Sequence, residues 1–120
     1  MIAHVVLFRP KQDLRDEDRR GLADAFSAAV TQIPSVRRAR VGRRVTHGRA
    51  YEQLMTVDYS HAAIIEFDDV AGLIAYLNDP IHEALAARFF AGFERALMYD
   101  FEVGEGEDAL LTLLEEERTR

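Results

Sequence analysis

The residues best suited to chemistry lie between Asp58 and Leu85, in the stretch DYSHAAIIEFDDVAGLIAYLNDPIHEAL. It places His61 on a predicted strand, Tyr76 on a predicted helix and His82 just past an Asp79-Pro80 break. A further histidine, His4, falls in the first strand. Imidazole and phenol are acid–base and hydrogen-bonding groups, so a site made from them would move protons or hold a polar atom of a small molecule. Three of the four histidines are expected to converge, and the elements around them must do the positioning.

Those elements follow from periodicity. Ile2 to Phe8 is β-rich and apolar on both alternating sets, with His4, Val6 and Phe8 on one side and Ala3, Val5 and Leu7 on the other. Such a strand is covered on both faces. From Asp16 to Ile33, Leu22, Ala25, Phe26, Ala29, Val30 and Ile33 recur at helical spacing, and Asp16, Glu17 and Asp18 suit the positive end of the helix dipole. Pro34 closes that helix. Val36 to Val45 reads as a second strand, Thr46 to Asp58 as a loop, and Ser60 to Phe67 as a third strand with His61, Ala63, Ile65 and Phe67 on one face.

Asp68 or Asp69 caps the next helix, whose apolar stripe is Val70, Leu73, Ile74 and Leu77. Asp79-Pro80 then restarts it, since Asp favours the N-cap and Pro the first helical position. The restarted helix is expected to run through Leu85 and Phe89 towards Phe93. Ala96 to Val103 alternates, with Leu97, Tyr99, Phe101 and Val103 opposed to Met98, Asp100 and Glu102.

The order βαββαβ predicts an α+β class, a ferredoxin-like sandwich of four antiparallel strands with helices on one face. The second apolar face of the first strand then needs a cover of its own. A partner subunit's sheet would supply it, giving a homodimer with a barrel shared by two chains. A charged residue at Val6 or Ile64 is expected to break that dimer. Residues 1–104 form the barrel domain in this reading, and 105–120 a C-terminal helical extension with Asp108 as its cap.

Composition bounds the partners. The 120 residues are 48% hydrophobic and 30% charged, values of a globular domain, and the formal charge of -6 argues against nucleic acid. Arg37, Arg38, Arg40, Arg43, Arg44 and Arg49 crowd one segment, to hold an anion or to pair with acidic residues; a solvated or salt-bridged strand is the plainer expectation. The chain has no cysteine, which excludes disulfides and thiolate nucleophiles. No segment approaches the ~20 apolar residues that span a bilayer, and the start does not resemble a secretory signal, so no membrane association and a cytoplasmic location are expected.

Several motifs resemble the stress-responsive A/B barrel (Dabb) family of small dimeric α+β barrels. His4-Val5-Val6-Leu7-Phe8 matches its first strand, Ile33-Pro34 its turn after the first helix, and Gly42 a glycine of its second strand. Tyr59-Ser60-His61 matches a Y-[ST]-H block, and Tyr76 to His82 a tyrosine followed by x-x-x-P-x-H; the last strand, ALMYDF, is also similar. A few plant members are polyketide cyclases, which close a ring by intramolecular aldol condensation. That resemblance implies a base at His82, a hydroxyl partner at Tyr76 and pocket histidines at His4 and His61. The first-turn position of His82 in its helix disfavours imidazolium, leaving a ring able to accept a proton.

Alternatives stay open at this stage. Tyr76 and His82 would serve equally to fasten the helix break to the sheet, and Phe26, Phe67, Phe89 and Phe93 to fill a core or to line a pocket between helices and sheet. A metal site would need His4, His61 and His82 to converge, and no helical metal-ligand spacing is present. No phosphate loop, Ser nucleophile motif or dinucleotide fingerprint appears, so no cofactor is expected. The expected function is binding of a small apolar or aromatic ligand, with Phe26 and Phe89 among its contacts. The alternative is a cofactor-free enzyme, a polyketide cyclase or a quinone-forming monooxygenase.

Overall fold

The structure is a computed structural model and describes residues 1–118. Its elements in chain order are β1 (Ile2–Pro10), α1 (Asp16–Gln32), β2 (Val36–Arg43), a 3-10 turn (Ala50–Leu54), β3 (His61–Phe67), α2 (Val70–Asn78), α3 (Pro80–Gly92), β4 (Phe93–Glu102) and α4 (Ala109–Arg118). The four strands form one antiparallel sheet in the order β2-β3-β1-β4. The two strands of the split βαβ halves thus interleave, with β1 and β3 at the centre.

One face of the sheet carries the helices, and the register explains why. Ile2 pairs with Phe67, His4 with Ile65 and Val6 with Ala63, so these residues point the same way. Ile2, Ile65 and Phe67 meet Ala29 and Ile33 of α1 and its end, Leu73 and Tyr76 of α2, and Leu85 of α3 in one buried cluster. Phe67 has no exposed surface, and burying a side chain of that size contributes roughly 1.5–3 kcal/mol. Val6 belongs to this helix face, beside His4, so a charge there would enter the interior of the subunit. Ile64, one residue out of phase with Ala63 and Ile65, lies on the opposite face, as expected.

α1, α2 and α3 leave that opposite face uncovered. Val5 pairs with Tyr99, Leu7 with Leu97 and Ala3 with Phe101, which puts these six residues with Ala62 and Ile64 on one surface. Tyr99 is 58% exposed and Phe101 52%. Towards β2 the same face becomes polar, where the nearly buried Glu66 carboxylate accepts hydrogen bonds from Arg38 and Arg40 at 3.0 and 3.2 Å. Arg37 pairs with Asp68 and Arg44 with Asp58. Four of the six crowded arginines are therefore held by carboxylates of the same chain.

Three boundaries differ from the sequence reading. Phe93 opens β4 instead of closing α3, because Gly92 ends the helix and the N–H of Phe93 returns to Phe89. β2 stops at Arg43, two residues early. The 46–58 loop holds a short 3-10 turn, closed by the Glu52 carboxylate accepting from the backbone N–H groups of His47 and Gly48. These bonds, that to Gly48 foremost, hold the Glu52 carboxyl below its usual range. His47 is in this exposed turn and contacts Tyr51.

After β4, Gly106 adopts a positive φ of 91°, a conformation that costs glycine little, and α4 follows. Leu110, Leu111 and Leu114 of α4 are exposed. The extension is thus helical as expected; of its 105–120 span, residues 119 and 120 lie outside the described residues.

Candidate small-molecule site

Between the helices and the sheet lies a cavity of about 870 Å³. Small-molecule sites typically have roughly 300–1,000 Å³. All six residues expected at a site, His4, His61, Tyr76, His82, Phe26 and Phe89, line it. They do not form one cluster. They divide between two ends of the cavity, because β1 runs along its floor with His4 near one end and Phe8 and Arg9 near the other.

The deep end is built around the helix break. Asp79 serves both helices: its backbone N–H bonds the Tyr76 carbonyl to close α2, and its carboxylate accepts from the Ile81 N–H at 2.8 Å to open α3. Pro80 takes the first helical position, where no N–H is needed. The resulting bend sets the Tyr76 and His82 rings at 4.6 Å between centroids, although they are six positions apart in sequence. Tyr76 also packs on Phe67 at 5.1 Å and meets His4 edge-on at 6.2 Å.

Tyr76 is 1% exposed, yet its hydroxyl has no hydrogen-bond partner among the described residues and is not sealed from the cavity. Burial pushes its phenol up to about 12, so it is a proton-bearing donor at any physiological pH. His82 is held below the usual histidine range, first by burial and then by neighbouring His4, while Leu77, Glu83 and Asp79 act in the opposite direction. The sequence points to a neutral ring through the helix dipole. The direction agrees, but the dominant cause is loss of water.

His4 is buried, and its Nδ1 lies 2.5 Å from Oδ1 of Asp100. A carboxylate accepts, so Nδ1 donates, and the ring is fixed in one orientation. Asp100 is the residue beside the candidate site that sequence reasoning missed. It was visible as an acid in the alternate set of β4, but only the pairing of His4 with Asp100 across β1 and β4 shows what it touches.

The other end is aromatic. Phe8 stacks on His61 at 5.5 Å and on Phe93 at 4.5 Å, and Phe89 meets Phe93 at 4.2 Å with rings perpendicular. His61 also shares a 2.8 Å hydrogen bond with Ser60. Phe26 of α1 also lines the cavity. Offset and perpendicular ring pairs of this kind give a rigid apolar sleeve. Among the described residues no group of three or more His, Asp or Glu is placed to hold a metal ion. His61 belongs to the aromatic end, whereas His4 and His82 belong to the deep end.

A four-stranded antiparallel sheet with helices on one face and a cavity between them is a ferredoxin-like α+β domain. Comparison with known proteins refines the class. The model of the stress-responsive A/B barrel domain family (Dabb) matches residues 2–103, and the chain belongs to this family. A stress-response A/B barrel domain-containing protein of Arabidopsis thaliana is 26% identical over 101 residues, 83% of this chain and 84% of that one. Among solved structures, a hydroxynitrile lyase from Passiflora edulis superposes with a TM-score of 0.73 at 17% identity, over 88% of this chain and 94% of that one. A dimeric ferredoxin-like protein of unknown function from Thermobifida fusca gives 0.65 at 22% identity, over 85% and 90%. The matched span ends at residue 103, so α4 lies beyond it.

Proposed function

We propose that this protein is a homodimeric domain that binds a small apolar or aromatic molecule between its sheet and helices. The observation that carries the reading is the cavity itself: an aromatic sleeve leading to a buried phenol whose hydroxyl has no partner among the described residues. A packed core would have used that hydroxyl or excluded it. A ligand with an apolar body and one carbonyl or hydroxyl group fits both ends. The homodimer is supported by the exposed Tyr99 and Phe101 surface, since contiguous apolar patches of this kind mark interaction sites, and by the dimer described for the Thermobifida fusca protein. In this reading residues 1–104 are the barrel domain and 105–120 an extension of it.

A cofactor-free enzyme is the second reading, favoured by one observation: an imidazole held below its usual range and a phenol held above its usual range lie 4.6 Å apart at one end of one cavity. In an aldol closure His82 would take the proton from the carbon next to a carbonyl, and Tyr76 would donate a hydrogen bond to the enolate oxygen so formed. His4, oriented by Asp100, would be a positioning residue beside them. The fold accommodates catalysis in the Passiflora edulis lyase, which makes turnover worth testing here.

The ligand reading is tested by calorimetric titration with 4-phenylbutan-2-one, an aryl ketone of suitable length. Ala63 is buried on the cavity floor, so Ala63→Phe would fill the space with little strain. Saturable binding that weakens at least tenfold in Ala63→Phe is the expected result. Equal binding by both proteins would place the ligand elsewhere and end the proposal.

A further inference from the structure

The cavity opens at the end where β1 finishes and α1 begins, and this rim is charged. Arg9, Gln12, Arg19 and Asp58 line it, with Phe90 exposed beside them. The rim carboxylate is already matched, and Arg9 has an acid beside it. Asp58 accepts from Arg44 at 2.6 Å, and Glu94 lies 3.7 Å from Arg9. Arg19, in the first turns of α1, has no carboxylate within ion-pair distance among the described residues. Among the lining residues Arg9 and Arg19 stand against Asp58, which leaves one positive charge in excess at this end of the cavity.

We propose that the ligand is an elongated apolar or aryl monocarboxylate, its anion on Arg19 and Arg9 at the mouth and its body in the Phe8, Phe89 and Phe93 sleeve. The proposal rests on the ligand reading above and adds the class of molecule. One excess charge matches a monoanion better than a doubly charged phosphate. Guanidinium groups bind carboxylates in a planar, bidentate fashion that also sets direction. The five steps along β1 from His4 to Arg9 span about 17 Å, and lining side chains at each end reach inwards, so the ligand is roughly 10–15 Å long. Its far end then arrives beside Tyr76 and His82, where a carbonyl or hydroxyl would meet the unpartnered phenol.

Three probes of equal length separate the parts of this idea: 6-phenylhexanoate, 6-phenylhexan-1-ol and 6-phenylhexylamine, each titrated calorimetrically at low ionic strength. The acid is expected to bind at least tenfold more tightly than the alcohol, and the amine most weakly. Arg19→Gln should bring acid and alcohol to within about threefold of each other, whereas Arg20→Gln, on the same helix but off the cavity, should leave the preference unchanged. Equal affinity for acid and alcohol, or a preference that survives Arg19→Gln, would overturn the carboxylate assignment and leave the ligand site standing. Failure of all three to bind would remove the ligand site and this inference together.

Discussion

Tyr76 and His82 differ in how their environment acts on them, and each difference is measurable as a pH effect. The folded-state phenol of Tyr76 is raised to about 12 from an unfolded value of 10.0, so the unfolded chain loses its proton first. The Tyr76 contribution to stability is therefore flat below pH 10 and falls between pH 10 and 12, by about 2 kcal/mol. Chemical denaturation followed across that range should show the loss, and Tyr76→Phe should lack it. For His82 the folded value lies below 6.5, so the unfolded chain takes up a proton first on acidification. Its contribution is complete above pH 6.5 and declines as the pH falls through the lowered value. An NMR titration of the His82 ring should give a midpoint below 6.5; a midpoint at or above it would remove the neutral-base role. Both residues were legible in the sequence through the Tyr-x-x-x-Pro-x-His spacing. Asp100 was not, because its meaning depends on which residue faces it across a strand pair that is 96 positions apart in sequence.

At the scale of elements, the joint at Asp79 brings the two rings together. Both capping functions pass through that residue, and loss of an N-cap carboxylate typically costs about 1 kcal/mol. Asp79→Ala should lower stability by this amount and, by loosening the first turn of α3, weaken ligand binding more than the stability loss alone implies. Asp69→Ala, which removes the N-cap of α2 through its bond to Gly72, should cost a similar stability but spare the start of α3. Equal effects of the two variants on binding would show that the joint positions nothing. Capping signals of this type are local, which is why the sequence located the helix starts at Asp68 or Asp69 and at Asp79. The start of β4 was hidden for a less local reason: Phe93 continues the helical period of Leu85 and Phe89, and its place in the strand follows from the pairing of Pro10 with Phe93 and its stacking on Phe8.

For the whole molecule, the sheet has one face committed to the cavity and one left uncovered by α1, α2 and α3. Alternation identified both faces of β1, but assigned no direction to either, so Val6 and Ile64 appeared equivalent as interface residues when only Ile64 faces outwards. A charge at Ile64 or Tyr99 would be buried without a partner between two sheets. Ile64→Asp and Tyr99→Glu should both sediment as monomers with native circular dichroism. A dimer that persists in both variants would place the interface on another surface. The leucines of α4, beyond the family span, were legible as a helix from spacing alone, whereas nothing in their spacing specifies the surface against which they lie.

Whether the space between sheet and helices is a binding site or a packing void is decided by a crystal structure of the protein with 4-phenylbutan-2-one. The phenyl ring should lie against Phe8, Phe89 and Phe93, with the ketone oxygen within hydrogen-bond distance of the Tyr76 hydroxyl. An unoccupied cavity at saturating ketone, or one closed by Phe26 and Phe89 with Tyr76 bonded to protein, would contradict the account.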